Sequence, residues 1–262
     1  MMLYYIDAHT HMDNNRFNKD RRKVIERAWK NSVLGIVNAG SDQATSNALI
    51  ELCDSVDNMW TAVGIHPHKA GQYINDDLNW LRDLARHPLV VAIGEMGLDF
   101  HYDFSPREQQ RQVFERLMAL AVEVDLPAVV HAREADEDAF IMLEQLPGDH
   151  PVLLHCFAGD VELMHEAVDR GYYLSLGGVI TFNKAKEAQE VAAEVPLENL
   201  MLETDAPYLT PHPYRGKRNE PGRIPIIAQQ VAKLRGIELE TVAKATAAAA
   251  ERFYQINLKL PE

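Results

Sequence analysis

This sequence of 262 residues has few cysteines, no long apolar run and no net positive charge. The two cysteines, Cys53 and Cys156, are too few for a disulfide framework, which favours a reducing compartment. No apolar run approaches the ~20 residues of a membrane span, and the first residues lack the basic and apolar regions of a signal peptide. We therefore expect a soluble, cytoplasmic protein with no membrane partner.

Acidic residues outnumber basic residues by 39 to 26, which gives a formal net charge of −13. A protein that coats nucleic acid normally carries a basic field, so the charge disfavours that class of protein. An enzyme that brings a phosphate to bound cations remains compatible with an acidic chain, because the cations supply the local positive charge.

A short apolar run followed by an amphipathic stretch recurs eight times. The runs are 3–8, 33–38, 60–65, 89–94, 126–131, 151–155, 172–177 and 199–204. Many are rich in β-branched or aromatic residues, which is typical of buried parallel strands. Eight β-then-α units predict an α/β protein with one (β/α)8 TIM barrel domain over residues 1–262. An open doubly wound sheet is disfavoured, because no glycine-rich phosphate-binding fingerprint follows the first run.

Helix signals and one long loop complete the predicted layout. Ser105 is expected to cap a helix, with Pro106 in its first position and Glu108 completing a capping box. The alanine-rich stretch 241–254 predicts another helix. The proline-rich segment 206–225 is predicted to be a loop that covers the active face after the eighth strand.

Side chains that can bind metal fall at the predicted strand ends. They are His9, His11, Glu95, His131, His155 and Asp205. The carboxyl ends of all strands in a barrel surround one site, so these side chains are expected to converge. A single histidine at a strand end is usually structural, but the joint pattern favours a metal site.

Six nitrogen and oxygen ligands exceed the needs of one tetrahedral ion. They predict two divalent cations ~3.5–4 Å apart, with Glu95 as the bridge. Imidazole with carboxylate suits Zn, Mn, Co, Fe or Ni, and Mg where carboxylates dominate, so the metal identity stays open. Bound cations lower the pKa of water toward ~7 and so generate a hydroxide nucleophile. Asp205 is expected to bind one cation and to take the proton from the attacking water, which makes Asp205 and Glu95 the candidate catalytic residues.

Several longer motifs occur in a fixed order along the chain. They are DAHTH (7–11), GIHPH (64–68), GEMGLDF (94–100), VHAR (130–133), HCFAG (155–159), LETDAPYL (202–209) and PHPYRGKRNEP (211–221). These motifs resemble those of the TatD family of metal-dependent hydrolases. The resemblance implies an amidohydrolase-like TIM barrel with two divalent metals on the six ligand positions above, and a deoxyribonuclease activity that acts in some members from the 3′ end. Glu95 stands where many related barrels carry a carboxylated lysine, which argues against a phosphotriesterase or a dihydroorotase.

Arg133 and His66 are candidate substrate-binding residues. Arg133 is expected to face the same side of its strand as the predicted ligand two positions earlier, and its guanidinium suits a phosphate. An ion pair with Glu134 or Asp136 is the alternative for Arg133. His66 is expected either to contact a phosphate or a bound water, or to make a structural hydrogen bond.

Arg215 and Lys217 belong to the densest basic cluster of the chain and lie in the predicted loop after strand eight. A basic cluster beside a metal site is a credible track for a nucleic-acid backbone, although most such clusters are simply solvated.

Two carboxylates have two interpretations each. Glu203 either orients a ligand histidine or pairs with an arginine, and Asp99 either acts near Glu95 or caps a turn.

Three hypotheses for the function follow. The leading one is a phosphodiesterase that acts on DNA, on single strands or ends. The second is a hydrolase of another ester or amide, such as an aminoacyl-tRNA deacylase or a small-molecule amidohydrolase. The third, a non-catalytic scaffold, is disfavoured because the ligand set is complete. The physiological substrate, the polarity of cleavage and the oligomeric state stay open, and a monomer is compatible with the sequence.

Overall fold

The computed structural model describes residues 3–259 and contains one sheet of eight strands. The strands are β1 (Tyr5–Thr10), β2 (Val33–Ala39), β3 (Met59–Val63), β4 (Val90–Asp99), β5 (Ala128–Arg133), β6 (Val152–Leu154), β7 (Tyr173–Leu176) and β8 (Leu200–Leu202). Each strand pairs in parallel with the next along the chain. The amide of Asp205, just after β8, donates to the carbonyl of His9 in β1 over 3.0 Å. The sheet therefore curls into a nearly closed barrel, which confirms the predicted TIM barrel.

Helices alternate with the strands and cover the outside of the barrel. They are α1 (Arg21–Lys30), α2 (Gln43–Asp54), α3 (Ala70–Tyr73), α4 (Asn79–Leu84), α5 (Arg107–Glu123), α6 (Asp136–Leu143), α7 (Val161–Asp169), α8 (Lys186–Glu194), α9 (Ile224–Arg235) and α10 (Leu239–Tyr254). The predicted helix at 241–254 is confirmed by α10, whose small alanines let it pack closely on β1 and β8. No helix within residues 3–259 is long and apolar enough to cross a membrane. The predicted domain bounds, residues 1 and 262, lie outside the described residues.

The predicted cap of α5 is wrong. The helix begins at Arg107, Pro106 occupies the cap position, and no side chain caps the helix. The hydroxyl of Ser105 instead accepts from the amide of Gly71 over 3.0 Å and donates to the carbonyl of His68 over 3.0 Å. Ser105 therefore holds the loop after β3, and its hydroxyl is no longer free to cap the helix.

The fourth strand is longer than its apolar run. The strand extends to Asp99, so Glu95 lies in the middle of the strand. The prediction that placed Glu95 at the strand end is wrong. All ten residues of β4 are buried, and the polar ones point into the barrel mouth. Gly97 has a φ of 133°, and a Cβ at this position would lie 2.1 Å from the carbonyl oxygen of His131. Only glycine allows β4 to pass this close to β5.

The segment after β8 is irregular through Glu220, as predicted for 206–225. A 3-10 turn at Pro221–Arg223 then leads into α9, so the last two residues of the predicted loop are helical. The loop returns over the mouth of the barrel, where the carbonyl of Ala206 accepts from the amide of His11 over 2.8 Å.

Candidate metal centre

Glu95 is the point at which the candidate ligands meet. Its side chain is only 3% exposed, and its Oε2 lies 2.9 Å from Nε2 of His9 and 3.1 Å from Nε2 of His155. The same oxygen is 3.9 Å from Nε2 of His11, and Oε1 is 2.9 Å from Nε2 of His66. Side chains from β1 and from the segments after β1, β3 and β6 thus surround one buried carboxylate on β4.

His11 and Asp205 form the outer side of the cluster. Nε2 of His11 lies 3.3 Å from Oδ1 of Asp205, and Nδ1 lies 3.0 Å from the carbonyl oxygen of Ala39. A carbonyl only accepts hydrogen bonds, so Nδ1 carries the hydrogen, and a neutral ring offers its Nε2 lone pair to the centre. The fold therefore fixes the ring of His11 with Nε2 facing the centre.

Asp99 orients His131 on the opposite side. Oδ2 of Asp99 lies 3.2 Å from Nε2 of His131 and 2.8 Å from Nε2 of His68. The carboxylate accepts a hydrogen from each ring, which leaves Nδ1 of His131 facing the centre, 3.1 Å from Nε2 of His155. Oδ1 of Asp99 also accepts from the amide of Tyr102 over 2.9 Å, so this residue both caps a turn and positions a candidate ligand.

His66 has a different role from the other histidines around Glu95. Its Nδ1 accepts from the amide of His68 over 3.0 Å, so the neutral ring carries its hydrogen on Nε2. Burial lowers the pKa of His66 to about 4, which keeps the ring neutral at ordinary pH. Nε2 therefore donates to Oε1 of Glu95, and this hydrogen bond fixes the rotation of the carboxylate.

Glu203 lies beneath the cluster and is completely buried. Its Oε2 accepts a hydrogen bond from the hydroxyl of Ser175 and lies 3.6 Å from Nδ1 of His155. Of the two sequence interpretations of Glu203, the structure favours the one in which it orients a histidine.

Asp7 lies one step deeper in β1 than His9. Its carboxylate accepts hydrogen bonds from the amide and the hydroxyl of Thr204 at 2.9 and 2.5 Å, and so joins β1 to the end of β8.

Three groups of side chains could each hold a metal ion by their composition and spacing, and two of the groups share His9. The groups are His9, His155 and Glu203; His9, His11 and Asp205; and His66, Glu95 and His131. Within each group the candidate donor atoms lie within 4.8 Å of one another. The structure thus brings together all six candidate ligands expected from the sequence, and it places Glu203 and His66 beside them. The motif GIHPH after β3 was the signal for His66, whereas burial alone distinguishes Glu203 from surface glutamates.

Buried polar atoms without hydrogen bonds show that this cluster fits divalent cations. Within residues 3–259, Nε2 of His9, Oε2 of Glu95, Nδ1 of His155 and Oε1 of Glu203 are buried and lack a hydrogen-bond partner. Such atoms are destabilising unless something satisfies them. A cation would engage the unpaired imidazole nitrogen and carboxylate oxygen that face each other 2.9 Å apart at His9 and Glu95.

The electrostatics of the cluster favour bound positive charge. Burial by itself would lower the pKa of His11, but hydrogen bonding to Asp205 and the charge of Glu95 raise it to about 10. Burial also opposes protonation of His155, yet the charges of Glu95 and Glu203 raise its pKa to about 9. The carboxylates thus draw protons onto the rings, and a divalent cation would displace those protons on binding.

The side chain of Arg133 is exposed beside this centre, with its guanidinium 4.8 Å from the ring centroid of Tyr102. The alternative ion pairs with Glu134 and Asp136 do not form in the described part of the chain, where Glu134 pairs with His101 at 2.6 Å. The charge of Arg133 is therefore free to meet an anion.

The basic side chains of the loop after β8 differ in whether they form ion pairs. Arg218 is anchored, at 2.8 Å from Asp20 and 3.2 Å from Glu220. Arg215 is exposed with its guanidinium 3.8 Å from the ring of Phe182, and Lys217 is exposed with Nζ 5.8 Å from the ring of Tyr214. Neither of these two residues forms an ion pair within residues 3–259.

A family model described as TatD related DNase matches residues 6–255. The chain belongs to this family. Over 253 residues, this TatD-family chain is 42% identical to the uncharacterized metal-dependent hydrolase YabD of Bacillus subtilis (strain 168), with 96% of this chain and 99% of that protein covered. It is 37% identical over 257 residues to the protein of Erwinia tasmaniensis named 3′-5′ ssDNA/RNA exonuclease TatD, with coverage of 95% and 99%.

Solved structures support the same assignment. The crystal structure of YJJV, a TatD homolog from Escherichia coli K12, matches this TatD-family chain with a TM-score of 0.92 and 27% identity, over 98% of this chain and 100% of that chain. Membership confirms the resemblance predicted from the motifs. The chain is accordingly a metal-dependent hydrolase that uses divalent metal, on a TIM barrel.

Proposed function

We propose that this protein is a metal-dependent nuclease that hydrolyses phosphodiester bonds at the 3′ end of single-stranded DNA. The observation that carries the proposal is the buried carboxylate of Glu95, surrounded by imidazoles and left with an unpaired oxygen. Relatives named 3′-5′ ssDNA/RNA exonuclease support the reacting group and the polarity.

The proposed centre holds two divalent cations, drawn from Mg, Mn, Zn, Co, Ni or Fe. The proposed ligands are His9, His11, Glu95, His131, His155 and Asp205. Six ligands exceed the needs of one ion, and the carboxylate of Glu95 lies within 3.9 Å of His9, His11 and His155, a position that suits a bridge. When bound, the cations lower the pKa of water and neutralise charge on the phosphate.

Asp205 is the proposed general base. Its side chain is 15% exposed, so it reaches the solvent side of the cluster, whereas Glu95 is enclosed. Nε2 of His11 lies 3.3 Å from Oδ1 of Asp205 and keeps that oxygen directed toward the centre. In the proposed reaction Asp205 takes the proton of the attacking water, and the same proton then neutralises the departing alkoxide.

The proposed phosphate contacts are three positively charged side chains that form no ion pair within residues 3–259. They are Arg133, Arg215 and Lys217. Arg133 lies on β5 beside the cluster, and the other two lie in the loop that returns over the barrel mouth. Guanidinium binds phosphate in a bidentate manner, and the two loop cations would follow the backbone further along. His66 is proposed to act on the substrate indirectly, through its hydrogen bond to Glu95.

The test uses protein stripped of metal and then supplied with single divalent ions. End-labelled single-stranded DNA, double-stranded DNA and RNA are incubated with wild type, with Glu95→Ala, and with Glu194→Ala as an exposed control. We expect a metal-restored 3′ ladder on single strands with wild type and with the control, and none with Glu95→Ala. Cleavage that survives in Glu95→Ala would show a contaminating nuclease, and no cleavage by wild type with any ion would overturn the proposal.

A further inference from the structure

Two large aromatic side chains are exposed beside the candidate metal centre and have no role in the reaction described above. Tyr102 and Phe104, between β4 and α5, are 47% and 68% exposed. Their rings stack, with centroids 5.2 Å apart and planes inclined by 17°. Apolar surface that is held open to solvent in an ordered arrangement commonly marks a binding surface.

The aromatic pair is fixed to the residues that position the site. The ring of His68 meets Tyr102 edge-on at 5.5 Å and Phe104 edge-on at 4.7 Å. His68 in turn lies 2.8 Å from Asp99, the carboxylate that also holds His131. The pair is therefore a continuation of the metal centre toward solvent, and it is held in place before any substrate arrives.

The distance from the pair to the centre is short. The ring of His68 lies 4.2 Å from the ring of His66, whose Nε2 is 2.9 Å from Glu95. Two side chains thus separate the aromatic rings from the candidate bridging carboxylate. Arg133 lies on the same side, 4.8 Å from the centroid of Tyr102, and supplies a positive charge next to the aromatic surface.

We propose that Tyr102 and Phe104 form a stacking platform for one base of a single-stranded nucleic acid, with Arg133 on the neighbouring phosphate. The occupant follows from the chemistry, because a flat aromatic surface beside a free guanidinium matches a base joined to a phosphate. A base inside a duplex has both faces covered by its neighbours, so the platform selects single strands or frayed ends. This inference rests on the proposed nuclease function and adds the feature that selects the substrate.

The test measures cleavage by wild type, Phe104→Ala, Phe104→Trp and Val122→Ala. Val122 is a matched control, because it is 40% exposed at the far end of α5. Stacking of a base on an aromatic side chain corresponds to about 5- to 150-fold in affinity. We expect Phe104→Ala to raise KM for single-stranded oligonucleotides by that factor with kcat within about twofold of wild type, Phe104→Trp to retain the wild-type KM, and the control to change neither.

A second measurement identifies the stacked base. Oligonucleotides with an abasic position at each of the last three nucleotides in turn should show, at one position, a raised KM with wild type and no further rise with Phe104→Ala. An unchanged KM in Phe104→Ala, or an abasic effect that is equal in both proteins, would overturn the platform while leaving the nuclease proposal intact. Wild type that cleaves no oligonucleotide with any ion would instead overturn the nuclease proposal, and the platform with it.

Discussion

At the scale of single residues, the candidate centre depends on which nitrogen of each histidine faces it. The carbonyl of Ala39 fixes His11, and Asp99 fixes His131, so that one nitrogen of each ring is free for the centre. Glu203 lies against the far nitrogen of His155. Partners of this kind set the tautomer and raise the basicity of a metal ligand, so their removal weakens metal binding even though they need not touch the ion.

Replacing Glu203 with glutamine should therefore weaken divalent metal binding by about 10- to 100-fold. The substitution keeps the size of the side chain but removes the negative charge beside Nδ1 of His155. Isothermal titration of metal-free protein measures the effect, with Glu194→Gln as an exposed control. An affinity equal to that of wild type would show that Glu203 has no part in positioning the ligand.

The candidate ligands could be predicted because each belongs to a strand, or follows one within three residues, and the apolar run of that strand is visible in the sequence. Asp99 and Glu203 could not be assigned, since their partners are distant in sequence: Asp99 meets His68 from 31 residues away and His131 from 32. The role of His66 also depended on the backbone amide two positions later, which no pattern of side chains reveals.

At the scale of elements, the loop after β8 is held by ion pairs to α1. Arg218 joins Asp20 and Glu220, and Glu220 also lies 2.8 Å from Arg27. These ion pairs hold the base of the loop, and Arg215 further along the loop stays exposed.

Arg215→Ala and Lys217→Ala should each weaken binding of single-stranded DNA and reduce its dependence on salt. Each lost phosphate contact lowers the magnitude of the slope of log affinity against log salt by about 0.7. Fluorescence anisotropy from low to high salt measures this slope. Lys244→Ala, which removes an equal charge from an exposed position on α10, is the control. Slopes identical to wild type in both loop variants would remove the loop from the binding surface.

Glu220→Gln should destabilise the protein by about 1–2 kcal/mol at pH 7, since it removes the charge from a half-buried hydrogen-bonded network. Burial would raise the pKa of Glu220, but hydrogen bonds from Arg27 and Arg218 lower it below its ordinary 4.5. The stabilisation is thus complete above that value and is lost as the pH falls through the lowered pKa. Urea unfolding at pH 7 and at about pH 3 tests this, and an equal difference at both pH values would contradict it.

Element boundaries were predictable where the signal is local. The helix at 241–254 follows from its alanines, whereas the cap expected at Ser105 failed because its hydroxyl bonds to the carbonyl of His68, 37 residues earlier. The extension of β4 beyond its apolar run depends on close packing against β5 at Gly97. Contacts between segments remote in sequence, and not local preference, decided both cases.

At the scale of the whole molecule, the barrel encloses a cluster of ionisable groups at one end of its core. Their unpaired atoms make the metal-free protein less stable than its packing would allow. Binding of divalent cations to the folded state alone should therefore raise the melting temperature.

At about 100 times its dissociation constant, a cation stabilises by about 2.7 kcal/mol, or about 5–10 °C for a chain of this size. Thermal unfolding followed by circular dichroism, first with a chelator and then with Mn²⁺, measures the shift. Glu95→Ala should show no comparable rise. A wild-type melting temperature that does not respond to any divalent ion would contradict a centre built from these residues.

The fold could be predicted for the whole barrel because eight buried strands repeat with one period, and all eight predicted runs overlap observed strands. The number and identity of the ions could not, since the same imidazole and carboxylate set accepts several metals. The single domain over residues 1–262 stays a prediction.

The central claim is that Glu95 bridges two divalent cations. Diffraction from crystals of the Mn²⁺-loaded protein, collected at the manganese absorption edge, locates those ions directly. We predict two anomalous peaks about 3.5–4 Å apart, one on each side of the Glu95 carboxylate. A single peak, or peaks away from Glu95, would contradict the claim.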